Sequence, residues 1–121
     1  MAAGDPLVSV RDLTVQFRTD RGWITAIEEV SLDIAEGDCL GVVGESGSGK
    51  SVTALSMLRL HARGTSRIPR GSILHGGRDM LAASEQEMRR IRGGDIAMVF
   101  QDPMSSLNPV LTICDQISET L

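Results

Sequence analysis

Eight consecutive residues, Gly44-Glu45-Ser46-Gly47-Ser48-Gly49-Lys50-Ser51, have the types and spacing to hold a chain of phosphates. A glycine, four residues and then Gly-Lys-Ser is the pattern of a loop that grips anions with backbone. Glycines let successive N–H groups turn into one concavity, a nest for oxyanions. A helix that begins where the loop ends adds about half a positive charge at its N-terminus. Lys50 is placed to reach the β- and γ-phosphates, and the Ser51 hydroxyl to hold Mg²⁺. Glu45 and Ser46 contribute N–H groups. Lys50 is the only lysine among twelve basic residues, the other eleven being arginine. A compact ammonium is thus retained at the one place where a planar guanidinium is the wrong shape.

Such a loop works only between a strand and a helix. Cys39-Leu40-Gly41-Val42-Val43 is continuously apolar and β-prone, which predicts a strand covered on both faces with Cys39 as a buried thiol. Ser51 to Leu60 predicts a helix with an apolar stripe at Val52, Leu55, Met57 and Leu58, ending near Arg63-Gly64. Upstream, the broken alternation of residues 7–17 reads as strand, Thr19-Asp20-Arg21-Gly22 as a turn, and 23–27 and 30–34 as two further strands of a half-exposed antiparallel sheet. Residues 64–71, with Gly64, Pro69 and Gly71, read as an exposed loop, and Ser72-Ile73-Leu74 as a short strand. Ser84 with Glu87 forms a capping box for a helix reaching about Ile91 and stopping at Gly93-Gly94. Ile96-Ala97-Met98-Val99-Phe100 predicts a second continuous apolar strand, 101–109 a loop, and Thr112 to Leu121 an amphipathic helix.

The chain has 121 residues, enough for one domain, with 41% hydrophobic residues and few aromatics: Phe17, Trp23 and Phe100. Its net charge of −4 is segregated. Residues 1–58 carry nine acids against four bases, 59–92 three acids against eight arginines, and 93–121 four acids and no base. The basic middle has no aromatic to stack on bases, so it reads as a solvated arginine-rich face and nucleic acid is not an expected partner. Cys39 and Cys114 have no metal-ligand spacing, and Met1-Ala2-Ala3-Gly4-Asp5-Pro6 has no apolar core of the signal-peptide type. The expected setting is cytoplasmic.

With these motifs assembled, the chain resembles the ATP-binding subunits of ATP-binding cassette (ABC) transporters along essentially its whole length. The phosphate loop is one basis. The more discriminating one is Met98-Val99-Phe100-Gln101-Asp102-Pro103-Met104-Ser105-Ser106-Leu107-Asn108-Pro109, similar to the family's glutamine loop and closest to subunits that drive import of dipeptides, oligopeptides or nickel. The resemblance implies an α/β fold: a P-loop NTPase core with an N-terminal antiparallel β subdomain, truncated before the signature motif and the Walker B strand. Residues 1–37 form the β subdomain, 38–101 part of the core, and 102–121 the start of a helical subdomain.

The resemblance also implies roles. Nucleotide contacts come from Gly44, Glu45, Ser46, Gly47, Ser48, Gly49, Lys50, Ser51 and Val52, with Phe17 stacking on adenine and Trp23 as the rival ring. Lys50 and Gln101 are the catalytic residues, and Ser51 and Gln101 the Mg²⁺ contacts, with ATP as the nucleotide. Gln101 also fits from the residues alone, as a polar group at the tip of an apolar strand, where ligands of open α/β sheets bind. The implied partners are a second ABC ATPase subunit, identical or not, transmembrane permease subunits, and indirectly a substrate-binding protein, placing the protein peripherally on the inner face of the membrane. The family's Asp-Glu pair, switch His and Leu-Ser-Gly-Gly-Gln signature are not in the sequence, and His61 and His75 match none of its motifs. These absences predict an N-terminal piece of a longer protein that binds nucleotide weakly and does not turn it over. They also predict open, apolar edges at 39–43 and 96–100, an aggregation hazard. The competing readings are another P-loop enzyme, such as a small-molecule kinase, and a catalytically inactive nucleotide-binding module.

Overall fold

The chain begins its fold as a long hairpin whose ladder shifts register three times, the third leaving Ala26 unpaired between Thr25 and Ile27. In the computed structural model, which describes residues 4–121 (the side chains of Pro103 and Met104 excepted), β1 spans Val8–Thr19 and β2 Gly22–Ile34. The opening Met1-Ala2-Ala3 of the segment read for a leader lies outside the described residues. The expected turn closes the hairpin: the Thr19 hydroxyl donates to the Gly22 carbonyl at 2.8 Å and accepts from the Arg21 N–H at 3.3 Å. The alternation of β1 is broken because Asp12, at φ 47°, is an extra residue in the strand. That bulge restores the parity of the inward side, so Val8, Val10, Leu13 and Val15 are all buried.

The segments 23–27 and 30–34 are one strand rather than two. Glu29, at φ 51°, forms a second bulge between Ile27 and Val30, and its N–H donates to the Thr14 hydroxyl at 3.2 Å. A β-prone run at 23–27 followed by a cleanly alternating one at 30–34 is what this bulged strand looks like in sequence.

The stretch 64–71 corrects the loop expectation more sharply. β3 runs Ser66–His75 and pairs antiparallel with β1, giving with the two-residue β4 (Arg78–Asp79) the order β2-β1-β3-β4. The register slips by one residue of β3 between Arg70 and Arg67, and Pro69 sits in that slip, where no ladder N–H is required. Gly71 lies opposite the Asp12 bulge at φ 108°, and a Cβ there would stand 2.6 Å from the Leu13 Cα. The Pro and Gly that read as loop punctuation are devices of a bulged strand.

Two short helices close the core over the sheet. α1 spans Lys50–Met57 and ends earlier than expected, not at Gly64. Its last turn is closed by a pair of bonds, Leu60 N–H to the Leu55 carbonyl at 2.9 Å and Arg59 N–H to the Ser56 carbonyl at 3.1 Å. Arg59 takes the left-handed position at φ 52° that glycine usually fills. α2 spans Glu85–Ile91, started by the capping box: Glu87 N–H donates to the Ser84 hydroxyl at 3.2 Å and Ser84 N–H to Glu87 Oε2 at 2.7 Å. Met80, Met88 and Ile91 complete the core with β1, Ile27 and Ile73.

The arginine-rich middle is only partly a solvated face. Arg59 Nη1 donates to the carbonyls of Met80 (3.3 Å) and Ala83 (2.6 Å). Arg92 donates through Nε to the Leu58 carbonyl (2.8 Å), through Nη2 to the Arg59 carbonyl (3.0 Å), and through Nη1 to Glu85 (2.6 Å). These two side chains lace the end of α1 to α2 and to the chain leading into it.

Neither continuous apolar strand forms. Residues 39–45 are irregular and exposed, Val43 at 94% and Cys39 among them, so the thiol is not buried. Around 96–100 there is a single parallel bridge, Arg92 to Ile96, and Val99 is 90% exposed. A strand buried on both faces is stable only between neighbours, and beyond that one bridge no described segment pairs with either run. Beyond them lie a 3₁₀ turn at Pro103–Ser106 and α3 (Ile113–Ser118), capped by the Thr112 hydroxyl, with no buried residue. α3 is shorter than the expected helix to Leu121, since no core receives its apolar side.

Replacing Gly71 by Ala sets a methyl group against backbone at a φ that L residues avoid. The expected loss is about 2–4 kcal/mol of stability, read as a lower midpoint of chemical denaturation; an unchanged midpoint refutes the bulge packing.

The Arg92 guanidinium holds the Glu85 carboxyl below its ordinary range, and the Ser84 backbone N–H does the same for Glu87. The stability these carboxylates contribute is complete above the unfolded-state value of about 4.3 and disappears as pH falls through their lowered values. A Glu85→Gln/Glu87→Gln chain should therefore lose less of its denaturation midpoint between pH 5 and pH 3 than the parent does.

A candidate nucleotide-phosphate site

Ile27, the one fully inward residue of β2, fixes where the glycine loop can end. Gly49 rests directly on it: a Cβ at Gly49 would lie 2.4 Å from Ile27 Cγ2. Gly49 has φ 100°, and it is the N-cap of α1 without a side chain to cap with. Its carbonyl is taken by the Thr53 N–H (2.9 Å) and the Thr53 hydroxyl (2.8 Å), which locks the first turn. The helix N-terminus is thereby held against the sheet, its leading N–H groups directed back into the loop.

The loop itself is curled. Ser48 N–H donates to the Glu45 carbonyl at 3.1 Å, and Gly47 takes φ 82°. The N–H groups of Ser46, Gly47 and Gly49 have no protein acceptor among the described residues. Lys50 folds back over the curl. Its ammonium donates to the Gly44 carbonyl, to the Glu45 carbonyl at 2.8 Å and to the Ser48 hydroxyl at 3.2 Å. All three of its protons are used inside the loop.

A cavity of about 610 Å³ opens on this arrangement, lined by Ser46, Gly47, Gly49, Lys50, Ser51 and Val52, by Thr25 and Ala26 of β2, and by Gln101. Gln101, fifty-one residues beyond the lysine, therefore shares one space with the loop although the strand expected to deliver it does not form. Ser51 Oγ and the Gln101 amide have no hydrogen bond among the described residues and are hard oxygen donors of the kind Mg²⁺ takes beside phosphate and water. Gly44, Glu45 and Ser48 stand in the loop behind the lining. Phe17 is not brought here. It packs against the core, edge-on to His61 with ring centroids 5.0 Å apart. Trp23 stacks under the Arg67 guanidinium at 4.4 Å. The residues that sequence reasoning missed are Thr25 and Ala26, which in a strand of alternating type carry no mark of a cavity wall. Among the described residues there is no cluster of His, Cys, Asp or Glu able to hold a metal, and no helix long and apolar enough to cross a membrane.

A curled glycine loop at a helix N-terminus, with a lysine over it and a glutamine across the cavity, is the arrangement of a P-loop nucleotide-binding domain. The ABC transporter family matches residues 27–120, and the chain belongs to that family. It is 55% identical over 116 residues to a peptide import ATP-binding protein of Brucella abortus and to one of Brucella suis, covering 96% of this chain and 35% of each relative. A peptidoglycan transport ATP-binding protein of Agrobacterium fabrum is 50% identical over 116 residues, 96% of this chain and 21% of that protein. The chain thus spans about a third or less of the length of these curated relatives.

Gly49→Ala should fail twice, from the φ and from the contact with Ile27. Pairing it with Ile27→Ala removes the contact and leaves the φ. The double variant is expected to recover part of the α1 helicity seen by amide hydrogen exchange, and no recovery would disprove the seating.

Proposed function

We propose that the protein is the ATP-binding, energising subunit of an ABC importer whose cargo is peptide. The observation that carries the reading is that the Gly44–Ser51 loop and Gln101 line one cavity at the N-terminus of α1. The triphosphate lies along the loop, its oxygens accepting from the spare N–H groups of Ser46, Gly47 and Gly49 and from the first turn of α1. Lys50 leaves the loop carbonyls and turns to the β- and γ-phosphates. The base lies toward Thr25 and Ala26, not Phe17. Ser51 and Gln101 would hold Mg²⁺, which when bound would supply neutralisation of charge on the phosphates. The Gln101 amide orients water at the terminal phosphate. Peptide as cargo is supported by the names of the Brucella relatives and by the wording of the segment from Met98 to Pro109.

In a protein of the length of the Brucella relatives, about a third of which this chain matches, we assign hydrolysis to a pair of such subunits docked beneath transmembrane permease subunits fed by a substrate-binding protein. The apolar runs 39–43 and 96–100 are there the strands that flank the family's later strands.

Lys50→Ala removes up to three charge-assisted bonds to phosphate and should weaken MgATP binding roughly ten- to a hundredfold, measured by displacement of a fluorescent nucleotide. Equal affinity of the two chains overturns the site. With the whole transporter in liposomes, ATP hydrolysis stimulated by oligopeptide and not by nickel is the expected result for cargo; the reverse would make the cargo a metal.

A further inference from the structure

A second cavity, of about 640 Å³, opens between the C-terminal end of α1, the start of β3 and α2, and no residue of the phosphate loop lines it. Its walls carry Arg59, Arg63, Arg67 and Arg92, with His61 and a single carboxylate, Glu85. That carboxylate is already taken by Arg92 at 2.6 Å. Four guanidinium groups around one cavity repel one another unless anions join them.

The framework holds them there. Arg92 is fixed by the carbonyls of Leu58 and Arg59, and Arg59 by those of Met80 and Ala83. Arg59 keeps Nε and Nη2 without a partner among the described residues. Arg67 gives only its Nε, to Gln16 Oε1 at 2.8 Å, while its plane lies over Trp23. Arg63 has no hydrogen bond or ion pair among the described residues. His61 forms a fixed wall: Ser56, fully buried, donates its own proton to the Val52 carbonyl at 2.7 Å, so the His61 Nε2–H must donate to Ser56 Oγ at 2.9 Å.

We propose that this cleft is a second anion site, one that takes a small phosphate-bearing molecule. Guanidinium forks match phosphate oxygens in pairs. The uncompensated positive charge suits a group with two or more negative charges better than a lone carboxylate, and the volume suits a small ligand.

The chain supplies its own reporter, because Trp23 is the only tryptophan and lies 4.4 Å from the Arg67 guanidinium. Pyrophosphate is titrated into the full chain carrying Lys50→Ala, which weakens any binding at the glycine loop, and Trp23 fluorescence is followed. A saturable change is expected, weakened about tenfold or more by Arg63→Ala, whose side chain makes no hydrogen bond or ion pair among the described residues and acts on Glu85 only through its charge. Inorganic phosphate and O-phosphoserine in parallel titrations separate a free-phosphate site from a phosphomonoester site. No saturable change, an unaltered affinity in Arg63→Ala, or the same response to sodium chloride at matched ionic strength overturns the proposal. A stronger response to a glutamate-rich peptide also overturns it and makes the cleft a dock for acidic protein. Loss of binding only through Lys50→Ala would speak to the phosphate loop and leave this cleft refuted.

Discussion

The contact between Gly49 and Ile27 is the constraint from which the site follows. Ile27 is held in the core by the β1–β2 ladder, and Gly49 rests on it with no room for a side chain. One end of the glycine loop is thereby fixed to the buried side of the sheet. The other end, from Cys39 to Gly44, has no ladder at all. Loop geometry therefore depends on three things at its fixed end: the left-handed turn at Gly49, the doubly bonded Gly49 carbonyl, and the ammonium that ties the curl together from inside. A side chain at Gly49 would disturb the turn and the packing together, so the residue is required twice over.

What could be read in the sequence divides along a physical line. Features set by neighbours a few residues away were legible: the Thr19–Gly22 turn, the Ser84–Glu87 capping box, and the start of α1 at the glycine loop. Features set by partners far along the chain were not. The strand at 66–75 was hidden because Pro69 and Gly71 are breakers in isolation and bulge residues opposite β1. The single strand β2 looked like two because Glu29 shifts its alternation. The runs 39–43 and 96–100 failed in the opposite direction: their β-propensity is strong, and propensity without a flanking strand makes no ladder. The site was legible as a motif at 44–51, and the pairing of Gln101 with it came through the family resemblance. Thr25 and Ala26 could be found only once the sheet had placed β2 beside α1.

The arginines show how one residue type divides its labour. Arg11 pairs with Asp33 at 2.6 Å, and Arg70 with Glu29, on the open sheet, where such pairs contribute little. Arg59 and Arg92 instead collect carbonyls left over at the end of α1 and before α2, which is why that short helix can end in a left-handed arginine without a glycine. Helix-end carbonyls need donors, and a guanidinium can serve two or three with one side chain. Two of the eight arginines between residues 59 and 92 thus act as braces, and both also line the cleft at the end of α1.

The same logic explains the lone lysine. At the loop the acceptors are two carbonyls and a hydroxyl arranged around a point, and an ammonium offers three protons from one atom. A guanidinium spreads its donors along a planar edge several ångströms wide and cannot sit inside so small a curl. Where the chain needs to join carbonyls on separate elements, it uses the wide fork. Where it needs one compact charge that joins two loop carbonyls and a hydroxyl from inside the curl, it keeps Lys50. The shape of the cation thus separates the residues that hold this fold together from the residue that its site turns on.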